Sequence, residues 1–162
     1  MRALLAFLLL AITAPVQLPE TVVAAQIVGV IDGDTIRALA EGNQLLRVRL
    51  RNIDAPEKSQ AFGQASKQNL SRYIFGRDVE LHVFGTDRYG RTLAIVMLDG
   101  VDINFQQVSD GFAWVYEKYI GENSLDVQER YRQAEAEARA ARRGLWADPD
   151  PVPPWRWRTY AK

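Results

Sequence analysis

Residues 45–53, LLRVRLRNI, constrain the fold more than any other stretch. Leu46, Val48 and Leu50 alternate with Arg47, Arg49 and Arg51. Successive side chains of a β-strand point to opposite faces, so this period of two predicts a half-buried strand and does not suit a helix. The simplest arrangement buries the aliphatic face and leaves all three arginines in solvent. Strand partners are close by. Residues 26–31 and 35–39 read as strands on either side of the turn Asp32-Gly33-Asp34, and Glu41-Gly42-Asn43 marks a hairpin. In the DGD turn, glycine is expected because it adopts backbone angles that other residues avoid. Pro56 ends the run and fixes the loop carrying Glu57.

Two further strands are predicted. In residues 79–83, Val79, Leu81 and Val83 alternate with Glu80 and His82, and residues 91–98 form an apolar run before the Asp99-Gly100 turn. Helices are predicted over residues 64–75, with Leu70, Tyr73 and Ile74 inward, over 102–108, and over 124–143. The last is capped by Asn123 or Ser124, ends before Gly144, and carries Leu125, Tyr131, Ala134, Ala138 and Ala141 on one face. Residues 113–116 suit a short strand or an aromatic wall, with Trp114 in the core. From Ala147 onward, four prolines and the run WRWR show no periodicity, which predicts an extended or loose tail. Trp155 to Arg158 would either pack on the body or touch nucleic acid or lipid headgroups. Strands, a helix, more strands and then helices make an α+β chain, a small antiparallel barrel with helices outside it.

Composition removes several chemistries. With no Cys and one His, thiolate nucleophiles, disulfides, Cys/His zinc sites and a pair of acid–base histidines are excluded. Any hydrolysis must rest on carboxylates, arginines and a metal, or on Tyr, Ser or Lys. The 20 basic and 20 acidic residues cancel, which argues against a tight static grip on duplex nucleic acid and allows transient contact through a local positive pocket. The 162 residues suit one domain.

The N-terminus reads as a targeting segment. Arg2 precedes an apolar run over residues 3–12, too short to span a bilayer, which takes about 20 residues. Cleavage is expected after Ala25, with Gln26 starting the mature chain, and Ala14 offers a second place. The expected organisation is therefore a signal peptide (1–25), one domain (26–147) and a tail (148–162), and the protein is expected to be secreted or periplasmic, without stable membrane insertion.

Asp32, Asp34, Asp54 and Glu57 surround Arg49 within residues 31–57. If this segment folds as a meander, positions about twenty residues apart become neighbours. Carboxylates that meet an arginine in one pocket suggest a hard divalent cation and a phosphate. Each residue alone has a plainer reading: Asp-Gly as turn chemistry, Arg49 as a solvated strand residue, Arg91 as a charge after a glycine turn.

IDGDT (31–35), RLRNIDAPE (49–57), DRYGR (87–91) and RGLW (143–146) occur in this order, and together they resemble the staphylococcal nuclease family over about residues 27–146. The resemblance implies a five-stranded OB-fold β-barrel with about three packed α-helices. It also implies a calcium-dependent endonuclease that cuts DNA and RNA and leaves 3′-phosphate ends. By position, Asp34 and Asp54 match calcium ligands, and Ala55 matches a residue that offers its backbone carbonyl, where many members have Thr. Glu57 matches the general base, and Arg49 and Arg91 the phosphate-binding arginines. Arg88 and Tyr89 match substrate contacts, Tyr116 and Tyr119 lie in the region of the substrate-facing tyrosines, and Asp32 is expected to support the ligands. A monomer acting on nucleic acid is the expected state. A non-catalytic OB-fold binding module is the alternative.

Overall fold

The structure is a computed structural model and describes residues 16–160. The predicted apolar leader run at residues 3–12 lies outside the described residues. Strands β1 (Thr21–Val30), β2 (Thr35–Ala40) and β3 (Gln44–Leu50) form a meander with antiparallel pairing. A short β4 (Ile53–Asp54) follows, then helix α1 (Gly63–Ile74). Strands β5 (Asp78–Thr86) and β6 (Thr92–Leu98) pair antiparallel, and β5 also pairs with β1. The parallel contact from Val48 opposite Thr92 to Leu50 opposite Ala94 joins β3 to β6 and closes a five-stranded barrel. Closure leaves the barrel without a free long edge. The α+β OB-type architecture read from the sequence is the one observed.

The remaining elements are β7 (Val101–Asp102), α2 (Ile103–Ser109), β8 (Trp114–Val115), α3 (Glu117–Ile120), α4 (Leu125–Ala140) and α5 (Pro154–Tyr160). Helices α1, α2 and α4 are the three expected; α3 and α5 are additional. Ile27, Ile36, Val48, Leu50, Leu81 and Val96 fill the barrel, and Leu70 and Ile74 of α1 and Tyr131 and Ala134 of α4 extend the same core. Trp114, Ala138, Leu145 and Trp146 make a second cluster. Leu125 is 78% exposed and Ala141 is exposed, because both sit at the ends of α4 rather than along its packed middle.

Four local expectations are corrected. First, the arginine face of β3 is not uniformly solvated. Arg47 is exposed, but Arg49 is 7% and Arg51 1% exposed. Arg51 is covered by elements distant in sequence: its guanidinium sits 4.1 Å from the Phe84 ring centroid and pairs with Glu122 and Gln17. Second, Gly33 does not need an unusual φ. It needs space, because a Cβ there would overlap the Ser66 hydroxyl and come within 2.7 Å of the Ala55 Cβ. Third, β1 begins at Thr21 rather than at residue 26, and Thr21 to Gln26 pair with Val83 to Asp78. Fourth, the tail is neither extended nor loose. Its α5 folds back onto the barrel, with Pro153 and Pro154 buried, Gln60 Nε2 donating to the Val152 carbonyl, and Trp155 edge-on to Trp114 at 5.5 Å. No helix among the described residues is long and apolar enough to cross a membrane.

Candidate active site

The site grows out of the β1–β2 turn. The N–H groups of Ile31 and Asp32 both donate to the Thr35 carbonyl, and the Asp34 N–H donates to Asp32 Oδ1 at 3.1 Å, an Asx-type turn. The Leu50 N–H donates to the Asp34 carbonyl at 2.8 Å, and Gln107 Nε2 donates to the Gly33 carbonyl at 2.9 Å. Strand β3 and helix α2 therefore hold the turn from two sides, against the close approach that Gly33 permits.

Two carboxylates converge on Arg49. Its Nη2 lies 3.1 Å from Asp34 Oδ2 and 3.0 Å from Asp54 Oδ1, and its Nη1 donates to the carbonyls of Leu50 and Ile53. Ala55 joins through its N–H, which donates to Asp34 Oδ2 at 2.7 Å. The Thr35 hydroxyl donates to Asp34 Oδ1 at 3.0 Å. Burial makes this crowding expensive. Burial first, then the Asp34 charge, push the Asp32 carboxyl up to about 7. Burial also raises Asp54, although hydrogen bonds from Arg158 oppose the shift. Burial pulls the Arg49 guanidinium down, but Asp34, Asp54 and Asp32 together outweigh it and leave its affinity for the proton raised.

The opposite wall is the β5–β6 loop. Asp87 accepts from the N–H groups of Tyr89 and Arg91 and holds the Arg91 guanidinium through Nε at 2.8 Å and Nη2 at 2.7 Å. Burial raises the Asp87 carboxyl, but these donors outweigh it and the net shift is downward. The guanidinium carbons of Arg88 and Arg91 lie 5.0 and 5.6 Å from the Tyr89 ring centroid. Tyr116 and Tyr119 stack edge-on at 5.3 Å. A single cavity of about 640 Å³ takes in Asp32, Asp34, Arg49, Asp54, Ala55, Glu57, Arg88, Tyr89, Arg91, Tyr116 and Tyr119. All residues singled out from the sequence thus meet around one opening.

Sequence reasoning missed three residues of this cavity that matter. Asp87 was the first residue of the DRYGR run, and its spacing of four from Arg91 was the available signal. Lys118, 5.3 Å from the Tyr119 ring centroid, adds a cation to the rim. Arg158 comes from α5. Its Nη1 donates to Glu57 Oε1 at 2.8 Å and to Asp54 Oδ1 at 3.2 Å, while Nη2 donates to Asp54 Oδ2 at 2.7 Å. Only the alternation of Trp and Arg in WRWR hinted at a role.

The donor chemistry fits a hard divalent cation. The acidic side chains that line the cavity offer oxygen only, and Asp34 and Asp54 both come within 3.1 Å of Arg49. A guanidinium of the chain itself already stands against Asp54. Among the described residues no group of three or more acidic or histidine side chains is arranged to hold an ion by itself, so backbone oxygen and water would complete any coordination.

Comparisons with known proteins agree with this geometry. A protein from Haemophilus influenzae named as an uncharacterized endonuclease is 44% identical over 137 residues, covering 85% of this chain and 74% of the relative. An uncharacterized endonuclease of Escherichia coli O157:H7 is 44% identical over 134 residues, covering 82% and 83%. The micrococcal nuclease of Shigella flexneri is 40% identical over 146 residues, covering 85% and 81%. The model of the family described as "Staphylococcal nuclease homologue" matches residues 47–148, from the middle of β3 to just past α4 and the Trp146 cluster, and the chain belongs to that family.

Proposed function

We propose that this protein is a calcium-dependent endonuclease that hydrolyses phosphodiester bonds of DNA and RNA and leaves 3′-phosphate ends. The observation that carries the reading is the cavity itself. Asp34 and Asp54 are gathered on one wall beside Arg49, and Arg91 is presented from another. The endonuclease names of the relatives support the reaction class.

Asp34 and Asp54, with the Ala55 carbonyl, would hold the ion. When bound, calcium supplies positive charge to a phosphoryl oxygen and acidity to a nearby water. Arg49, locked by two carboxylates and two carbonyls, is positioned to brace the phosphate without reorganising. Arg91 is oriented by Asp87 and offers its planar fork from the facing loop. Glu57 takes the proton from the attacking water. Tyr89, Tyr116 and Tyr119 provide ring surfaces for sugar and base, where stacking contributes about 1–3 kcal/mol per base. Arg88 contacts the flanking phosphate.

Digestion of DNA and RNA with calcium and then with excess chelator tests the metal. Undiminished cleavage in chelator overturns that part. Glu57→Gln and Arg91→Ala should each lower turnover by about a hundredfold or more with the fold retained. Binding of nucleic acid without hydrolysis at millimolar calcium would instead identify a non-catalytic module. The proposal extends to an exported monomer. The expected cut after Ala25 would remove the first residues of β1, which starts at Thr21 and so supports the second candidate, Ala14; the mass of the secreted chain distinguishes the two.

A further inference from the structure

We propose that the C-terminal helix α5 is an autoinhibitory latch, in which the Arg158 guanidinium holds the position of the divalent cation and must be displaced before the cation binds. The proposal rests on the metal-dependent reading above and adds a regulator to the same site.

The geometry carries it. Arg158 occupies both oxygens of Asp54 and one oxygen of Glu57, the proposed ligand and the proposed base. A cation seated on Asp54 needs those oxygens at about 2.3–2.6 Å, and it repels a guanidinium donating to them. The two occupants exclude each other. Arg49 does not conflict in this way, because it takes only one oxygen of Asp34 and one of Asp54 and is also held by two backbone carbonyls.

The rest of the tail is built to present Arg158 and to let it go. Gln60 ties down the Val152 carbonyl, and the buried Pro153 and Pro154 fix the root of the helix. Helix α5 has seven residues counted from Pro154, too short for a helix to be stable alone, so its order depends on docking. The Arg158 side chain is 42% exposed, so water already reaches the group that has to leave. Its partners lie 101 and 104 residues away, so the contact reports the folded barrel and not a local turn preference. Low calcium leaves the latch closed and Glu57 neutralised. Saturating calcium takes Asp54, releases the latch and frees Glu57.

Calorimetric titration of calcium into the full chain, without nucleic acid, tests this on wild type, Arg158→Ala and Arg158→Gln. A latch closed about nine-tenths of the time weakens apparent affinity about tenfold, so both variants should bind calcium about tenfold more tightly. In wild type, amide exchange of residues 155–160 should accelerate as calcium saturates. Wild type that binds calcium while the variants bind it equally or more weakly overturns the latch and leaves the metal reading standing; Arg158 would then be a substrate arginine. Failure of all three proteins to bind calcium overturns the metal reading itself, and the latch with it. Calcium binding that leaves exchange at residues 155–160 unchanged also overturns the latch.

Discussion

Arg49 and Arg51 show how two residues with the same side chain on the same strand face acquire different work. Arg49 meets Asp34 and Asp54 inside the cavity. Arg51 is just as buried but serves as a tie: it stacks on Phe84 and reaches Glu122 and Gln17, joining β5, the α3 region and the segment before β1. Its Nη1 is buried without a hydrogen-bond partner, a cost accepted for that three-way contact. Arg51→Ala should therefore lower unfolding free energy by about 2–5 kcal/mol, through a cavity and a lost buried contact. Urea denaturation measures the loss, and cleavage per folded molecule should stay near wild type.

At the scale of elements, the β1–β2 turn has to fit beneath α1 and beside α2. Gly33→Ala places a methyl against Ser66 and Ala55, and overpacking of this kind costs about 1–3 kcal/mol. It should also shift Asp34 and so weaken calcium binding, which titration of the variant would show. Helix α2 gives a pH prediction. Asp102 caps it by accepting the Phe105 N–H, and it accepts the Tyr131 hydroxyl as well. Burial raises this carboxyl above its ordinary 3.8 despite those donors. A folded-state value above the unfolded one means the contribution to stability is complete below 3.8 and is lost as pH rises through the raised value. Asp102→Asn retains an acceptor for the cap and cannot ionise. The stability of wild type relative to this variant should therefore fall as pH rises above about 3.8, read from urea midpoints across that range.

For the whole molecule, the barrel brings together walls that are far apart along the chain, and a ligand shared by several of them stabilises the assembly. An ion that binds only the folded chain at a hundred times its dissociation constant adds about 2.7 kcal/mol. Calcium should raise the melting temperature by several degrees, chelator should reverse the shift, and Asp54→Ala should abolish it. Closure by β3 and β6 helps make the effect global, since it pairs the strand that carries Arg49 directly with the strand that follows Arg91.

Much of this was legible beforehand. The alternation of residues 45–53 and the turns at DGD and DG predicted the strands, because backbone period and turn chemistry act over a few neighbours and are written locally; the residues around the cavity came from the resemblance that the four short motifs carry. The reach of a side chain is not written that way. Alternation places Arg47, Arg49 and Arg51 on one face, but only the elements that later cover that face separate a solvated arginine from one that meets the cavity carboxylates and one that ties distant elements together. The seven-residue α5 has no local signal strong enough to announce a helix, and its contact with Asp54 spans 104 residues. That docking was decided by the tertiary structure, which sets Trp155 against Trp114 and the buried Asp54 carboxylate against Arg158.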